Sequence, residues 1–429
     1  MIGAIARAHG DDPGLIARLS PHARAALDDI AACGTPACGL HHELCDHCGS
    51  HRLAPNTCGN RSCPHCQGAA RADWVAARDR EMLPGIGCFH AVFTVPPEIG
   101  KLARFWPIVV LGAMLRASAD VIITLCHDPR WLGAEVGLVE VLHTWTRDLR
   151  WHAHVHQIVT AGGWDAEAQQ WVPARRHGPA KRAFLLPLPV LRQAYQARLT
   201  ALLLQAYEDG AFDTGPWEAF PELASLVDFR RHLGAQARRH WCIRIEPPFS
   251  SPQCLLKYLG AYVNRVALSP QRIVAHDPAA NGGAGRVTWT YVTNAEPDRV
   301  HTRIQTGVDF LAAFALHILP PRMVRIRFRG LWCTAHRRTK LDCARAWLLA
   351  NQPPPPDPTP PPGPSTLTPA AATPAPADEL RRCPICGIGT FQRLTGPCPR
   401  PSRQERRRLL AEIRHQERAV SPVEGHVPA

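Results

Sequence analysis

The stretch Trp151–Gly163 reads WHAHVHQIVTAGG, and His152, His154 and His156 recur in it at every second position. In an extended strand alternate side chains share a face, so this spacing stacks three imidazoles in a column, with Ala153 and Val155 on the other side. Gly162 and Gly163 then break the strand and supply a turn. Imidazoles that converge from one strand are donors for a metal ion. His-x-His pairs also arise by chance among 22 histidines, so the surrounding elements must decide.

Val136–Trp145 is apolar and β-rich, and it runs through TRDLR into the histidine strand. If Asp148 and Leu149 form a two-residue hairpin loop, residues equidistant from it pair, and His143 falls opposite His154. Paired residues share a face, which makes His143 the third ligand beside His154 and His156. His152 would then be optional, and His90, on the predicted strand Cys88–Pro96, is a rival. A second chemical feature is Cys254–Val266, CLLKYLGAYVNRV, which reads as a helix. Tyr258 and Tyr262, two of only five tyrosines, lie one turn apart on one face. Leu255, Leu259 and Tyr262 could equally be core packing. Lys257 and Arg265 flank the pair and could hold a phosphate.

Sixteen cysteines in a chain whose start, MIGAIARAHGDDPG, lacks a signal-peptide pattern point to metal rather than disulfides. Cys45-x-x-Cys48 and Cys63-x-x-Cys66 are two knuckles whose four thiolates could close one Zn²⁺ site. Cys58 is then a spare thiol. His42, His47 or His65 could replace a ligand, and Cys33 and Cys38 belong to a looser second site or to none. Cys383-Pro-Ile-Cys386 is a further knuckle, with Cys398 the obvious additional ligand.

The elements that must position these groups follow from the pattern. A helical lead-in covers 1–32 and a zinc-binding module 33–70. Residues 69–82 and 100–126 read as helices, Leu191–Tyr207 and Leu223–Arg239 as two more, and Trp241–Glu246 as a strand stopped by Pro247-Pro248. In MVRIRFRGLW, Arg325, Arg327 and Arg329 alternate with apolar residues and would track a phosphate backbone along one strand face. Residues 350–380 are Pro-rich and unable to bury a core, hence a disordered linker. Residues 381–429 carry the last knuckle and a basic helix, Arg403–Arg418, expected to be solvated. Forty-nine Lys and Arg against 36 Asp and Glu give a net charge of +13, mostly from arginine. That balance suits nucleic acid, although a GC-rich gene would enrich arginine too. No run of about 18 apolar residues is evident, so neither a membrane span nor a membrane partner is expected. The expected location is cytoplasmic, at the nucleoid.

Taken together, CGNRSCPHCQ, FHAVFTVP, LHTWTRDLRWHAHVHQIVTAGG, KYLGAYVNRVALS and FALHILPPRMVRIRFRGLW resemble, in this order, the two-tyrosine rolling-circle transposases of the insertion-sequence-91 family. The resemblance spans roughly Cys45 to Trp332. It implies an α+β fold, with an antiparallel-sheet HUH endonuclease core at 85–345, flanking helices and a small zinc-ribbon-like module at the N-terminus. The histidine strand is expected at the centre of the sheet, with the tyrosine helix beside it. The resemblance places the metal pair on His154 and His156 and the nucleophiles on Tyr258 and Tyr262. Ala153 stands where the family usually has Pro. The implied cofactors are a catalytic Mg²⁺ or Mn²⁺ and structural Zn²⁺. The implied partners are single-stranded or hairpin DNA at element ends, and target DNA. Two other readings stay open at this point: a noncatalytic zinc-ribbon nucleic-acid-binding protein, and a metallohydrolase built on the histidine cluster.

Overall fold

The computed structural model describes residues 1–67, 82–177, 182–239, 241–249, 267–293, 295–336, 338–351, 382–394 and 400–420. Residues 69–81 of the expected helix, Lys257, Tyr258, Tyr262, Arg265, Cys398 and residues 352–380 of the Pro-rich stretch lie outside these residues.

In chain order the helices are α1 (Ile2–His9), α2 (Pro13–Ile16), α3 (Pro21–Ala32), α4 (Pro97–Phe105), α5 (Pro107–His127), α6 (Leu188–Glu208), α7 (Leu226–Ala237), α8 (Gly307–Ala315), α9 (Lys340–Ala350) and α10 (Arg403–Val420). The strands are β1 (Leu40–Cys45), β2 (His51–Pro55), β3 (Cys88–Thr94), β4 (Gly137–Trp145), β5 (Trp151–Thr160), β6 (Gly162–Asp165), β7 (Gln170–Pro173), β8 (Arg176–His177), β9 (Arg182–Ala183), β10 (Ile243–Phe249), β11 (Ile273–Asp277), β12 (Arg286–Val292), β13 (Val300–Gln305), β14 (Ile326–Gly330) and β15 (Phe391–Arg393). Several helices start where sequence says they should. Ser20, Ser225 and Thr306 cap α3, α7 and α8, each hydroxyl accepting the amide N–H three residues on.

Two compact units emerge, and both are discontinuous in sequence. One holds 1–69, 268–318 and 356–429; the other holds 70–267 and 319–355. The contiguous domains expected from sequence, 85–345 above all, are therefore interrupted. Residues 268–318, which form β11, β12, β13 and α8, belong with the termini instead. In that unit α1 packs against α3 and α8, so the lead-in is part of a core. The terminal helix α10 is not simply solvated. Arg406 pairs with Asp29 at 2.7 Å, Arg407 with Asp28 at 3.7 Å, and Glu417 with Arg7 at 2.8 Å.

The other unit is built on a five-stranded antiparallel sheet of order β10-β3-β5-β4-β14, with the histidine strand β5 in the middle. One sheet face carries Phe89, Phe93, Leu138, Leu142, Val155 and Val159, and it is buried against α5 and α6. Helix α5 is long and apolar enough to cross a membrane, the one such helix among the described residues, although Arg116 and Asp120 interrupt its apolar run. Here it packs on α6, β4 and β5 and serves as a core helix. The opposite face carries Cys88, Val139, Val141 and Ile158 under Trp164, Trp332 and Leu341. Pro247-Pro248 do not stop β10. It is an edge strand, where proline is tolerated, and its register shifts between Glu246 and Phe249.

Candidate functional site

The second sheet face ends in histidine. His143 pairs with His154 across β4 and β5, and Val141 with His156. The loop between them is longer than two residues. Thr146 donates its N–H to the Arg150 carbonyl at 3.0 Å, and Leu149 sits at φ 63°. A register shift between His143 and Trp145 absorbs the extra residue on β5. The pairing inferred by counting therefore survives a different loop. One donor nitrogen from each of His143, His154 and His156 lies within 4.8 Å of the others. His143 is buried and stacks on Trp145, with ring centroids 4.4 Å apart. His152 is exposed at the strand's start and stands outside the trio.

Hydrogen bonds bear on which nitrogen His154 and His156 offer. His154 Nδ1 lies 2.8 Å from the His152 carbonyl oxygen. A carbonyl only accepts, so Nδ1 carries the proton and Nε2 keeps its lone pair. Burial, the largest influence, pushes the His154 pKa down to about 4, which keeps the ring neutral at physiological pH. A longer relay controls His156. Glu246 is held below the usual carboxylate range, chiefly by its hydrogen bond from His90, and is ionised. His90 Nδ1 donates to Glu246 Oε2 at 3.0 Å. In neutral His90 the other nitrogen, Nε2, is then an acceptor, and it meets His156 Nδ1 at 2.9 Å. With that tautomer of His90, His156 donates from Nδ1 and turns Nε2 toward the trio. His90 is thus not a ligand of this trio but the group behind one, a role that no local pattern around it reveals. Three converging imidazoles fit a divalent transition metal. The all-nitrogen set suits Mn²⁺ better than the harder Mg²⁺, and would also accept Zn²⁺ or Ni²⁺.

The arginine strand carries its arginines on one face, and the register shows which one. Arg327 pairs with Glu140 and Arg329 with Leu138, so both side chains occupy the helix-facing side of the sheet, opposite the histidines. Arg329 Nε approaches the buried Glu140 at 3.4 Å. Around this edge strand an open groove of about 620 Å³ is lined by Arg322, Arg327, Arg329 and Ile108.

The cysteines regroup. The two N-terminal knuckles do not share one site. Cys63 and Cys66 cluster with Cys33 and Cys58, the thiols set aside as loose and spare. Cys45 and Cys48 cluster with Cys383 and Cys386, from the far end of the chain. The cause is the sheet. Strand β15 pairs with β1 in the register Cys45↔Phe391, which carries the C-terminal knuckle onto the N-terminal one.

Histidines converging on one face of an antiparallel sheet, with two four-thiol clusters in a separate unit, define an α+β protein with three candidate metal sites among the described residues. Comparison with known proteins supplies the class. A family described as "Putative transposase" matches residues 137–340, and one described as "Transposase zinc-binding domain" matches residues 5–95. The "Putative transposase y4qJ" of Sinorhizobium fredii (strain NBRC 101917 / NGR234) is 36% identical over 388 residues, covering 88% of this chain and 92% of its own. The "Transposase for insertion sequence element IS801" of Pseudomonas savastanoi pv. phaseolicola is 29% identical over 311 residues, covering 70% of this chain and 68% of its own. No solved structure matches. The chain belongs to the insertion-sequence-91 family of transposases. It is a transposase, its substrate is DNA, and its cysteine clusters fit structural zinc.

Proposed function

We propose that this transposase is an HUH endonuclease that nicks and transfers single DNA strands through a covalent 5′-phosphotyrosine, driving rolling-circle transposition. The observation that carries the reading is the convergence of His143, His154 and His156, one donor nitrogen of each lying within 4.8 Å of the others on one face of the sheet. When bound there, Mn²⁺ or Mg²⁺ would polarise the scissile phosphate. Tyr258 and Tyr262 are the nucleophiles by resemblance. One phenolic oxygen attacks phosphorus as its proton leaves, the bond to the 3′ oxygen breaks, and that oxygen takes up a proton. The phosphodiester count is unchanged, so the enzyme-linked end can later be rejoined without external energy. A second tyrosine permits a second cleavage while the first strand stays attached. The preferred substrate on this reading is single-stranded or hairpin DNA at the element ends. Lys257 and Arg265 would hold phosphate near the tyrosines. Arg325 and Arg327 would contact backbone at the β14 edge rather than beside the ion, because that strand turns its arginines to the other sheet face.

The test is to incubate the protein with single-stranded element ends and Mn²⁺, then resolve covalent protein–DNA adducts under denaturing conditions. The wild type is expected to form adducts. The double variant Tyr258→Phe/Tyr262→Phe and His154→Ala should form none, while the latter keeps its fold and its DNA affinity. Undiminished adducts in the double variant would overturn the assignment.

A further inference from the structure

Cys45, Cys48, Cys383 and Cys386 take no part in the strand chemistry, and half of the set lies far beyond residues 5–95, which match the zinc-binding domain. We propose that these four thiols hold a second structural Zn²⁺ that fastens the C-terminal segment to the N-terminal module across the Pro-rich stretch.

Spacing is the first argument. Cys45 Sγ lies 3.8 Å from Cys386 Sγ, and Cys48 Sγ lies 3.8 Å from Cys383 Sγ. A tetrahedral ion with Zn–S bonds of about 2.3 Å sets its sulfurs roughly 3.8 Å apart. A disulfide would need about 2.05 Å. The other cluster shows nearly the same edge, 3.7 Å for Cys33–Cys66 and 3.6 Å for Cys58–Cys66. It lies wholly within the matched zinc-binding domain, and so serves as an internal standard for the geometry.

The backbone supplies the second argument. Both knuckles read Cys-x-x-Cys-Gly, and Gly49 and Gly387 take φ values of +70° and +68°. In each, the glycine N–H bonds to the first cysteine's carbonyl, at 3.1 Å for Gly49 and 2.8 Å for Gly387. In each, the first cysteine's N–H is also tied down, Cys45 to Ser50 O at 2.9 Å and Cys383 to Gly389 O at 2.7 Å. The tight turns leave amide N–H groups pointing at sulfur. His47 and Cys48 serve Cys45, and Ile388 and Gly389 serve Cys386. Such donors stabilise thiolate and orient it toward a cation. Two matching knuckles thus face one another across one point.

The third argument is that the juxtaposition is built rather than incidental. Beyond the β1–β15 ladder, Asp46 accepts from Thr390 N and Thr390 Oγ1, both at 2.8 Å. The Arg52 guanidinium lies over the Phe391 ring at 3.9 Å. These contacts hold the two knuckles in register, yet they leave four thiols crowded together, an arrangement that a divalent cation makes favourable by binding them as thiolates.

The full-length protein is therefore expected to carry two Zn²⁺ per chain by native mass spectrometry. Cys45→Ser and Cys383→Ser should each remove one. The double variant Cys45→Ser/Cys383→Ser should still retain one, because both substitutions damage the same site. Cys33→Ser/Cys383→Ser should retain none. A wild-type count of one, or loss of both ions from the Cys45/Cys383 double variant, would overturn the shared site. Should the variants fail to fold, the wild type gives the same answer. Under a chelator titration with N-ethylmaleimide, Cys45, Cys48, Cys383 and Cys386 should become alkylated together as one Zn²⁺ departs. Alkylation of Cys383 and Cys386 while Cys45 and Cys48 stay protected would refute it.

Discussion

At the scale of the residue, His90 carries the most specific consequence. It is buried, hydrogen-bonded to Glu246 on one side and to His156 on the other. Replacing it with alanine leaves His156 free to move its proton to Nε2 and to rotate, so Mn²⁺ affinity should fall roughly ten- to hundredfold. His90→Gln, whose amide oxygen can accept from His156 Nδ1, should recover part of the loss. Calorimetric Mn²⁺ titrations measure the affinities, and ¹⁵N spectra of the metal-free protein report the His156 tautomer. Unchanged affinity together with an unchanged tautomer in His90→Ala would remove the relay from the mechanism. The histidine trio itself could be read in the sequence, because strand periodicity and hairpin counting are local rules. The relay could not: His90 and Glu246 are 156 positions apart, and only the neighbour order β10-β3-β5 brings them together.

At the scale of the element, β4 has two unlike faces, and one of them carries a buried acid. Glu140 lies fully buried between Ser118, Gln157 and Arg329. Burial outweighs the arginine and raises its pKa from 4.5 to about 7. The folded state holds that proton where the unfolded state has lost it. The associated stability is complete below pH 4.5 and disappears as pH rises through about 7. Glu140→Gln mimics the protonated acid, so it should raise the melting temperature at pH 8, by at most about 3 kcal/mol of stability, and should change little at pH 4. A variant less stable than wild type at pH 8 would show that the carboxylate's pairing with Arg329 outweighs its burial. The same two-faced logic completes the reading of the arginine strand. Alternation in MVRIRFRGLW correctly gives a strand with its arginines on one side. Only the pairing of Arg327 with Glu140, rather than with Val141, determines which side of the sheet that is.

At the scale of the whole molecule, sequence reading fails where it assumes that a domain is one continuous stretch. Cys45 and Cys48 look complete beside Cys63 and Cys66, and nothing local says that β15, more than 300 residues later, will pair with β1. The acidic residues of α3 give no hint that α10 supplies their arginines. The resulting division also sorts the chemistry, since His90, His143, His154, His156 and Glu246 all fall in one unit and the eight clustered cysteines in the other. Loss of the first cysteine site should therefore weaken one unit and spare the metal site of the other. Cys33→Ser is expected to release one Zn²⁺ and to lower the melting temperature of a single calorimetric transition, by roughly 5–10 °C for a loss of about 3 kcal/mol in a unit of this size. Mn²⁺ binding followed by electron paramagnetic resonance should stay at its wild-type affinity, because each imidazole is oriented by neighbours from its own unit. If Cys33→Ser instead abolished Mn²⁺ binding below the melting temperature, zinc and histidine sites would form one cooperative structure, and the unit boundary would mark packing density without marking stability.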